Sequence, residues 1–183
     1  MLEISKGGIL IAEPFMVDPH FKRAVILICE HEQEGSVGFI LNKGLNMQVQ
    51  ELLPDFPEFK APVYYGGPVG TDTIHYVHTV GHILDESMPV VPGLFWGGDF
   101  EKLKFLIRSE LVRPSDIRFF LGYSGWSDGQ INEEIDFGSW LPGEMDANYL
   151  VKNRPTNLWK SAMEHKGKNY SVIAQIKDPL SWN

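Results

Sequence analysis

The apolar positions of this chain fall in short runs broken by glycine and proline, and their spacing shifts between a period of two and a period near 3.6. "GGILIA" (7–12) reads as a short buried strand. Asp18 followed by Pro19 supplies an N-cap with proline at the first helical position, which predicts a brief helical turn over "DPHFKR" (18–23). "AVILICEH" (24–31) is a continuous apolar run rich in β-branched residues, "EQEG" is a polar turn, and "SVGFILNK" (36–43) follows, which predicts two central strands joined as a hairpin. "MQVQELL" (47–53) predicts a short helix stopped by Pro54, and the proline-rich "PDFPEFKAP" must be a loop. "VYYGGPV" (63–69) reads as a strand running into a glycine-proline turn, and "TIHYVHTV" (73–80) alternates as a strand with two different faces.

Further along, Asp99 caps a helix over "FEKLKFLIRSEL", with Phe100, Leu103, Leu106 and Ile107 on one face. "RPSDIRFFLGY" is a turn and then a strand. "PTNLWKSAMEHKG" is a helix with Leu158/Ala162 and Trp159/Met163 as i,i+4 pairs and Gly167 as its stop, and "YSVIAQI" (170–176) reads as a last strand. Strands arrive in hairpin-like runs with helices inserted irregularly, so the pattern predicts an α+β fold with a mostly antiparallel sheet. At 183 residues the chain fits one domain spanning 1–183, and such a domain buries on the order of 70% of the surface exposed by its unfolded chain.

Charge narrows the partner. The net charge is -8, distributed unevenly: residues 1–150 hold 10 Lys/Arg against 22 Asp/Glu, and residues 151–183 hold 6 against 2. An acidic body opposes direct binding to nucleic acid, whose phosphates are recognised by clustered Lys and Arg. In the tail, Lys152, Arg154, Lys160, Lys166 and Lys168 are interleaved with apolar residues, a pattern suited to docking on the chain's own body or a sister subunit. The lone Cys29 forms no internal disulfide, the N-terminus shows no secretory signal, and no segment approaches the roughly 20 apolar residues of a membrane span, which together predict a cytoplasmic protein with no membrane association.

Candidate chemistry centres on "LGYSGWSDGQINEEI" (121–135). Ser127 and Gln130 have capping-box spacing, Asp128 is a rival cap, Glu133 and Glu134 fall in the first turns of the ensuing helix, and Ile131/Ile135 form an inward pair. Gly122, Gly125 and Gly129 permit positive φ or close backbone approach, and Trp126 fills the space so opened. The functional alternative is an anion or small-molecule site at the helix N-terminus, which two nearby glutamates oppose. The candidate pocket therefore comprises Gly66, Gly67, Gly122, Tyr123, Gly125, Trp126, Asp128, Gly129, Gln130, Glu133 and Glu134, with Asp128 and Glu133 as acid/base groups should the protein be an enzyme.

Elsewhere the pattern is weaker. Cys29 and His31 share a strand face about 6.6 Å apart, too far for a hydrogen bond, so Cys29 reads as a buried structural thiol. His78 and His82 share a face if their strand continues, whereas His75 points away, and no zinc-ligand spacing is present. These histidines read as polar tips beside glycine turns. The glycine pairs at 66–67 and 97–98 lack a nucleotide-loop frame, and Ser124 lacks the G-x-S-x-G elbow, leaving only a hint of an exposed serine at a sharp turn. The reading requires no cofactor and no metal, no catalytic arrangement is recognisable, and the partner is an unspecified protein or small molecule.

The stretches "GGILIAEPFMVDPHFKRAVILICEHEQEGSVGFILNK", "VYYGGPV", "GLFWGGD" and "GYSGWSDGQINEEI", in that order, resemble the YqgE/AlgH family of bacterial proteins, and the resemblance extends to the tryptophan-bearing C-terminal helix and the closing "DPLSWN". Ile131 stands where leucine is more usual. The resemblance implies an α+β fold with a bifurcated sheet that includes a small closed barrel, surrounded by helices, and a cytoplasmic location. It implies no established activity; the family carries a transcriptional-regulator label. With the charge pattern, this favours a non-catalytic binding or regulatory module over an enzyme of unknown class.

Overall fold

The run from Ala24 to Ile28 is apolar at every position because both of its faces are buried. In the computed structural model, which describes residues 4–151 and 155–176, strand β2 (Val25–Glu32) lies between β1 (Gly8–Ala12) and β3 (Gly35–Ile40), antiparallel to both. Val25 and Leu27 enter one apolar cluster with Ile9, Ile11 and Phe39, while Ile26 and Ile28 enter another with Leu10, Trp126 and Trp140. Alternation survives; it sorts side chains between two cores rather than between core and water.

The remaining strands are β4 (Gly44–Gln48), β5 (Pro62–Tyr65), β6 (Val69–His78), β7 (Met88–Val91), β8 (Leu94–Trp96), β9 (Ile117–Ser127) and β10 (Trp140–Glu144). The sheet runs β10-β1-β2-β3-β9-β6-β8-β7, with β4 and β5 branching from β9, and curls into a half-barrel. Its bifurcation is a property of β9. One edge pairs with β6, and the other is shared, first by β5 in parallel through Phe119–Leu121, then by β3 antiparallel through Ser124–Ser127. This strand supplies Phe119, Phe120 and Trp126 to three different apolar clusters.

The helices are α1 (Val49–Leu52), α2 (Phe100–Arg108), α3 (Gln130–Asp136), α4 (Asn148–Val151), α5 (Pro155–His165) and α6 (Lys168–Ala174), giving the expected α+β architecture. Asp99 caps α2 as anticipated, accepting from the Lys102 amide at 2.7 Å, and Leu103, Leu106 and Ile107 are buried. Asp18 closes its turn, with its carbonyl accepting from the Lys22 amide and its side chain from the His20 amide. No helix among the described residues is long and apolar enough to cross a membrane.

Three expectations change. The segment 47–53 is divided between β4 and the single turn of α1, because Gly44 and Gln48 pair with β5 before the helix begins. "YSVIAQI" is helical as far as Ala174: Tyr170, Ile173 and Ala174 stand at i, i+3 and i+4 and pack on the cluster that includes Trp159, while Val172 faces outward. A helical stripe therefore overrode the β-branched composition. Strand β6 ends at His78, so His78 and His82 do not share a strand face. The closing "DPLSWN" and the tail residues Lys152 and Arg154 lie outside the described residues.

Candidate functional site

Strand β9 changes partner at Gly122, which has φ +68°, a conformation that disfavours any Cβ. Directly against it runs the backbone of Gly66 and Gly67, leaving β5. The Gly66 amide donates to the Leu121 carbonyl at 2.9 Å, and the Gly66 carbonyl accepts from the Ile40 amide and the Ser124 hydroxyl, both at 3.0 Å. A Cβ on Gly66 would lie 2.2 Å from the Gly122 oxygen, and one on Gly67 2.2 Å from the Tyr123 oxygen. Two glycine motifs more than fifty residues apart thus form one crossing, where three backbones meet. Ser124 is fully buried here with its hydroxyl donated, so the structure removes the hint of an exposed serine.

Beyond the crossing, Trp126 reaches across to α3. Glu134 Oε2 accepts from the indole nitrogens of Trp126 at 3.0 Å and Trp140 at 2.8 Å, and Oε1 accepts from Gln130 Nε2 at 2.9 Å. Gln130 in turn accepts from the Ser127 amide at 3.0 Å and the Ser127 hydroxyl at 3.2 Å. The two indoles stand edge to face 6.2 Å apart, and Phe21 packs edge-on against Trp140. A carboxylate answering two buried indole donors and an amide ties β9, α3 and β10 together.

The expected capping box is thereby corrected. The N-cap of α3 is Gly129 at φ +71°, with no side-chain cap bond, so Ser127 stands outside the helix and donates to Gln130 instead of accepting from a helix amide. Asp128 does not cap either. Ile131 is buried and Ile135 packs beside it, as the spacing required. Trp140 was not legible as a partner; its only signal was an indole that needs an acceptor when buried.

The candidate residues divide by environment. Gly66, Gly67 and Gly122 form the crossing; Trp126, Gln130 and Glu134 form the hydrogen-bonded box; Asp128, Gly129 and Glu133 are exposed. Tyr123, Gly125 and Trp126 line a cavity of about 430 Å³ together with Glu30, Glu32 and Glu34. Asp128 and Gly129 line an adjoining one of about 390 Å³ with His31 and Glu32. Both cavities include Glu32, Gly35 and Ser36, so together they form a groove around the β2–β3 turn. Of its carboxylates, Glu32 and Glu34 come from a turn that the sequence marks only as polar, Glu30 from strand β2 and Asp128 from the turn between β9 and α3.

Cys29 is the extra residue of a β-bulge: Ile28 pairs with Gly38 and Glu30 with Val37. The bulge breaks the alternation on which a shared Cys29/His31 face depends. His31 Nδ1 instead bonds the Ser36 hydroxyl at 2.6 Å, and burial pushes the Cys29 thiol pKa far up, with a smaller opposing effect from Lys6 and a smaller reinforcing one from Glu30. The native protein is therefore expected to resist thiol-specific labelling at pH 8, becoming reactive only on unfolding; stoichiometric labelling within minutes under native conditions would contradict this.

His78 is not a surface tip. It is 1% exposed, its Nε2 bonds the Gly97 carbonyl at 2.7 Å, and its Nδ1 accepts from the Val80 amide at 3.2 Å. These partners select the neutral imidazole protonated at Nε2. Burial lowers its pKa below the ordinary 6.5, with the Gly97 bond opposing, and burial lowers that of His75 as well. A depressed folded pKa means that the unfolded chain takes up the proton first, so stability present above about pH 6.5 declines as pH falls below it. Melting temperatures measured from pH 7.5 to 5 are expected to fall, less so in His78→Gln. Among the described residues no group of three or more His, Cys, Asp or Glu could hold a metal ion.

Comparison with known proteins agrees with this architecture. The family model described as AlgH-like matches residues 9–171. A UPF0301 protein of Chlorobaculum parvum is 43% identical over 171 residues, covering 93% of this chain and 91% of the relative, and one of Chlorobaculum tepidum is 42% identical with the same coverage. The solution structure of the AlgH protein from Pseudomonas aeruginosa superposes with a TM-score of 0.75 at 28% identity, covering 97% of this chain and 99% of that one. Protein DIP2367 from Corynebacterium diphtheriae shares the fold, with a TM-score of 0.78 at 22% identity over 96% of this chain and 94% of its own. The glycine crossing, the indole-carboxylate box and the half-barrel around them are thus the local physics of a chain that belongs to the AlgH-like family, UPF0301.

Proposed function

We propose that the protein is a non-catalytic binding module of the cytoplasm, acting in regulation through a positively charged protein segment or small molecule. One observation carries this reading: Glu30, Glu32, Glu34 and Asp128 surround the groove at the β2–β3 turn, against walls of Tyr123 and Trp126. Four carboxylates raise the local concentration of a cationic partner and repel phosphate, and the aromatic walls offer apolar and cation–π contact. The polar groups behind the groove are already committed within the fold, since Glu134 and Gln130 accept from Trp126 and Ser127. The same charge opposes direct DNA binding, so a regulatory role runs through a protein or metabolite. Gel shifts at physiological salt test that arm, and sub-micromolar DNA binding would contradict it.

The direct experiment titrates a labelled Lys/Arg-rich peptide into the protein and follows Tyr123, Gly125 and Trp126 by NMR. Saturable, salt-sensitive shifts are expected, and the combined Glu30→Gln, Glu32→Gln, Glu34→Gln variant should weaken binding about tenfold. Unchanged affinity in that variant would overturn the reading. A second reading, an enzyme of unknown class, draws on Asp128 and His31 lining one cavity. Any turnover found by screening must then fall in Asp128→Ala or Glu133→Ala; if it does not, this corner is not its active site.

A further inference from the structure

The chain carries 16 Lys and Arg against 24 Asp and Glu, yet four of those cations, Lys22, Arg23, Lys43 and Lys160, line one cavity of about 270 Å³ beside Asn157 and Trp159. No carboxylate is among its described lining residues. These cations come from the turn after Asp18, the connection between β3 and β4, and helix α5, so their convergence is tertiary and invisible in the sequence. We propose that this cavity binds the phosphate group of a small phosphorylated molecule.

Arg23 is the centre of the argument. Its guanidinium lies 4.7 Å from the centroid of the Trp159 ring, and Nη2 donates to the Ile176 carbonyl at 2.8 Å. Trp159 is itself anchored, donating to the Ala12 carbonyl at 2.9 Å. Arg23 Nε, by contrast, is buried with no acceptor. A buried guanidinium N–H without a partner is unfavourable until an oxygen reaches it, and an anionic oxygen suits it best. Arg118 shows the contrast, since its guanidinium donates to the Leu41 and Leu150 carbonyls while stacking on Tyr64.

Lys43 directs Nζ to the carbonyls of Pro19 at 2.9 Å and His20 at 2.7 Å, which positions the ammonium and leaves a third N–H for a ligand. Burial lowers its pKa, against the opposing effect of Asp18 and with Lys22 adding to it. A bound anion would relieve this partly desolvated charge. Among the described residues, Asp18 and Glu164, the latter 4.0 Å from Lys160 Nζ, bring opposing charge near the cavity. An arginine edge with lysine point charges is the chemistry that recognises phosphate oxygens. The volume lies at the small end of ligand cavities, about 300 Å³, and so favours a phosphomonoester over a dinucleotide.

The cavity shares no lining residue with the acidic groove, and its probe has the opposite charge, so the two readings fail independently. The test titrates the full chain with glycerol phosphate, inorganic phosphate and citrate, observed by NMR and calorimetry. Saturable shifts at Arg23, Lys43 and the Trp159 indole are expected. Glycerol phosphate should bind about tenfold more tightly than citrate. Lys160→Glu, on an exposed helix position, should weaken it about tenfold with the melting temperature unchanged, and Arg23→Gln should remove it. Absence of saturable shifts up to about 10 mM, affinity indifferent to Lys160→Glu, or citrate binding as tight as phosphate would each overturn the proposal.

Discussion

Gly67→Ala is expected to yield no soluble folded protein. The added Cβ would lie 2.2 Å from the Tyr123 oxygen, 2.3 Å from its carbonyl carbon and 2.4 Å from the Ser124 nitrogen, at a glycine with φ +153°. All three are main-chain atoms in the strand that touches three cores, so no rotamer change relieves the overlap. Separating the backbones would break the Gly66 to Leu121 and Ile40 to Gly66 bonds and the Ser124 hydroxyl bond together. Losses of this kind exceed about 4 kcal/mol, a large share of the roughly 5–15 kcal/mol that holds an ordinary domain folded. Gly44→Ala is the control: only Tyr64 Cε1 at 3.9 Å would meet its Cβ, and it should express and melt like the parent. A folded Gly67→Ala protein with a nearly unchanged melting temperature would refute the crossing as described.

Glu134→Ala ranks second. It strips three hydrogen bonds and leaves the Trp126 and Trp140 indole donors, 6% and 2% exposed, without their acceptor. At about 1–3 kcal/mol for each stranded donor, partly offset by alanine's better helix propensity, the loss is about 3 kcal/mol. For a domain of this size that corresponds to a fall of roughly 6–12 °C in melting temperature. Glu134→Gln should fall between, because its carbonyl oxygen can still accept while its amide nitrogen opposes that of Gln130. Glu133→Ala, one residue earlier but exposed, should stay within about 0.5 kcal/mol of the parent. Equal effects for Glu133 and Glu134 would show that the box is not what holds α3.

The contrast between these neighbours divides the corner's acids by environment. Its acids are not equivalent: Glu134 is consumed in joining three elements, whereas Asp128 faces a groove that also holds Glu30, Glu32 and Glu34. The basic cavity around Arg23 gathers charge of the opposite sign. A chain with a formal charge of -8 therefore holds an acidic groove and a basic cavity that share no lining residue.

Strands β1, β2, β3, β6 and β9 and helix α2 are legible in the sequence because their apolar positions repeat over many residues and their ends carry caps or turns. Strands β7, β8 and β10 are not: β8 is three residues long, and β7 ("MPVV") and β10 ("WLPGE") include the proline and glycine that ordinarily mark loops. They exist because a neighbouring strand supplies the ladder. The α6 segment reverses the expectation for the same reason, a docking surface for Tyr170, Ile173 and Ala174 deciding what β-branched composition alone could not.

At the corner, composition alone determined that glycines were needed where the chain turns tightly, that Ile131 and Ile135 share an inward face, and that the apolar runs belong to an α+β domain. These are local matters of backbone sterics and periodicity. Only the tertiary structure decided which backbone Gly66 and Gly67 must clear, which carboxylate answers Trp126 and Trp140, and where charges of one sign collect. Such pairings join residues many positions apart, and nothing in the spacing of one segment encodes the position of the other.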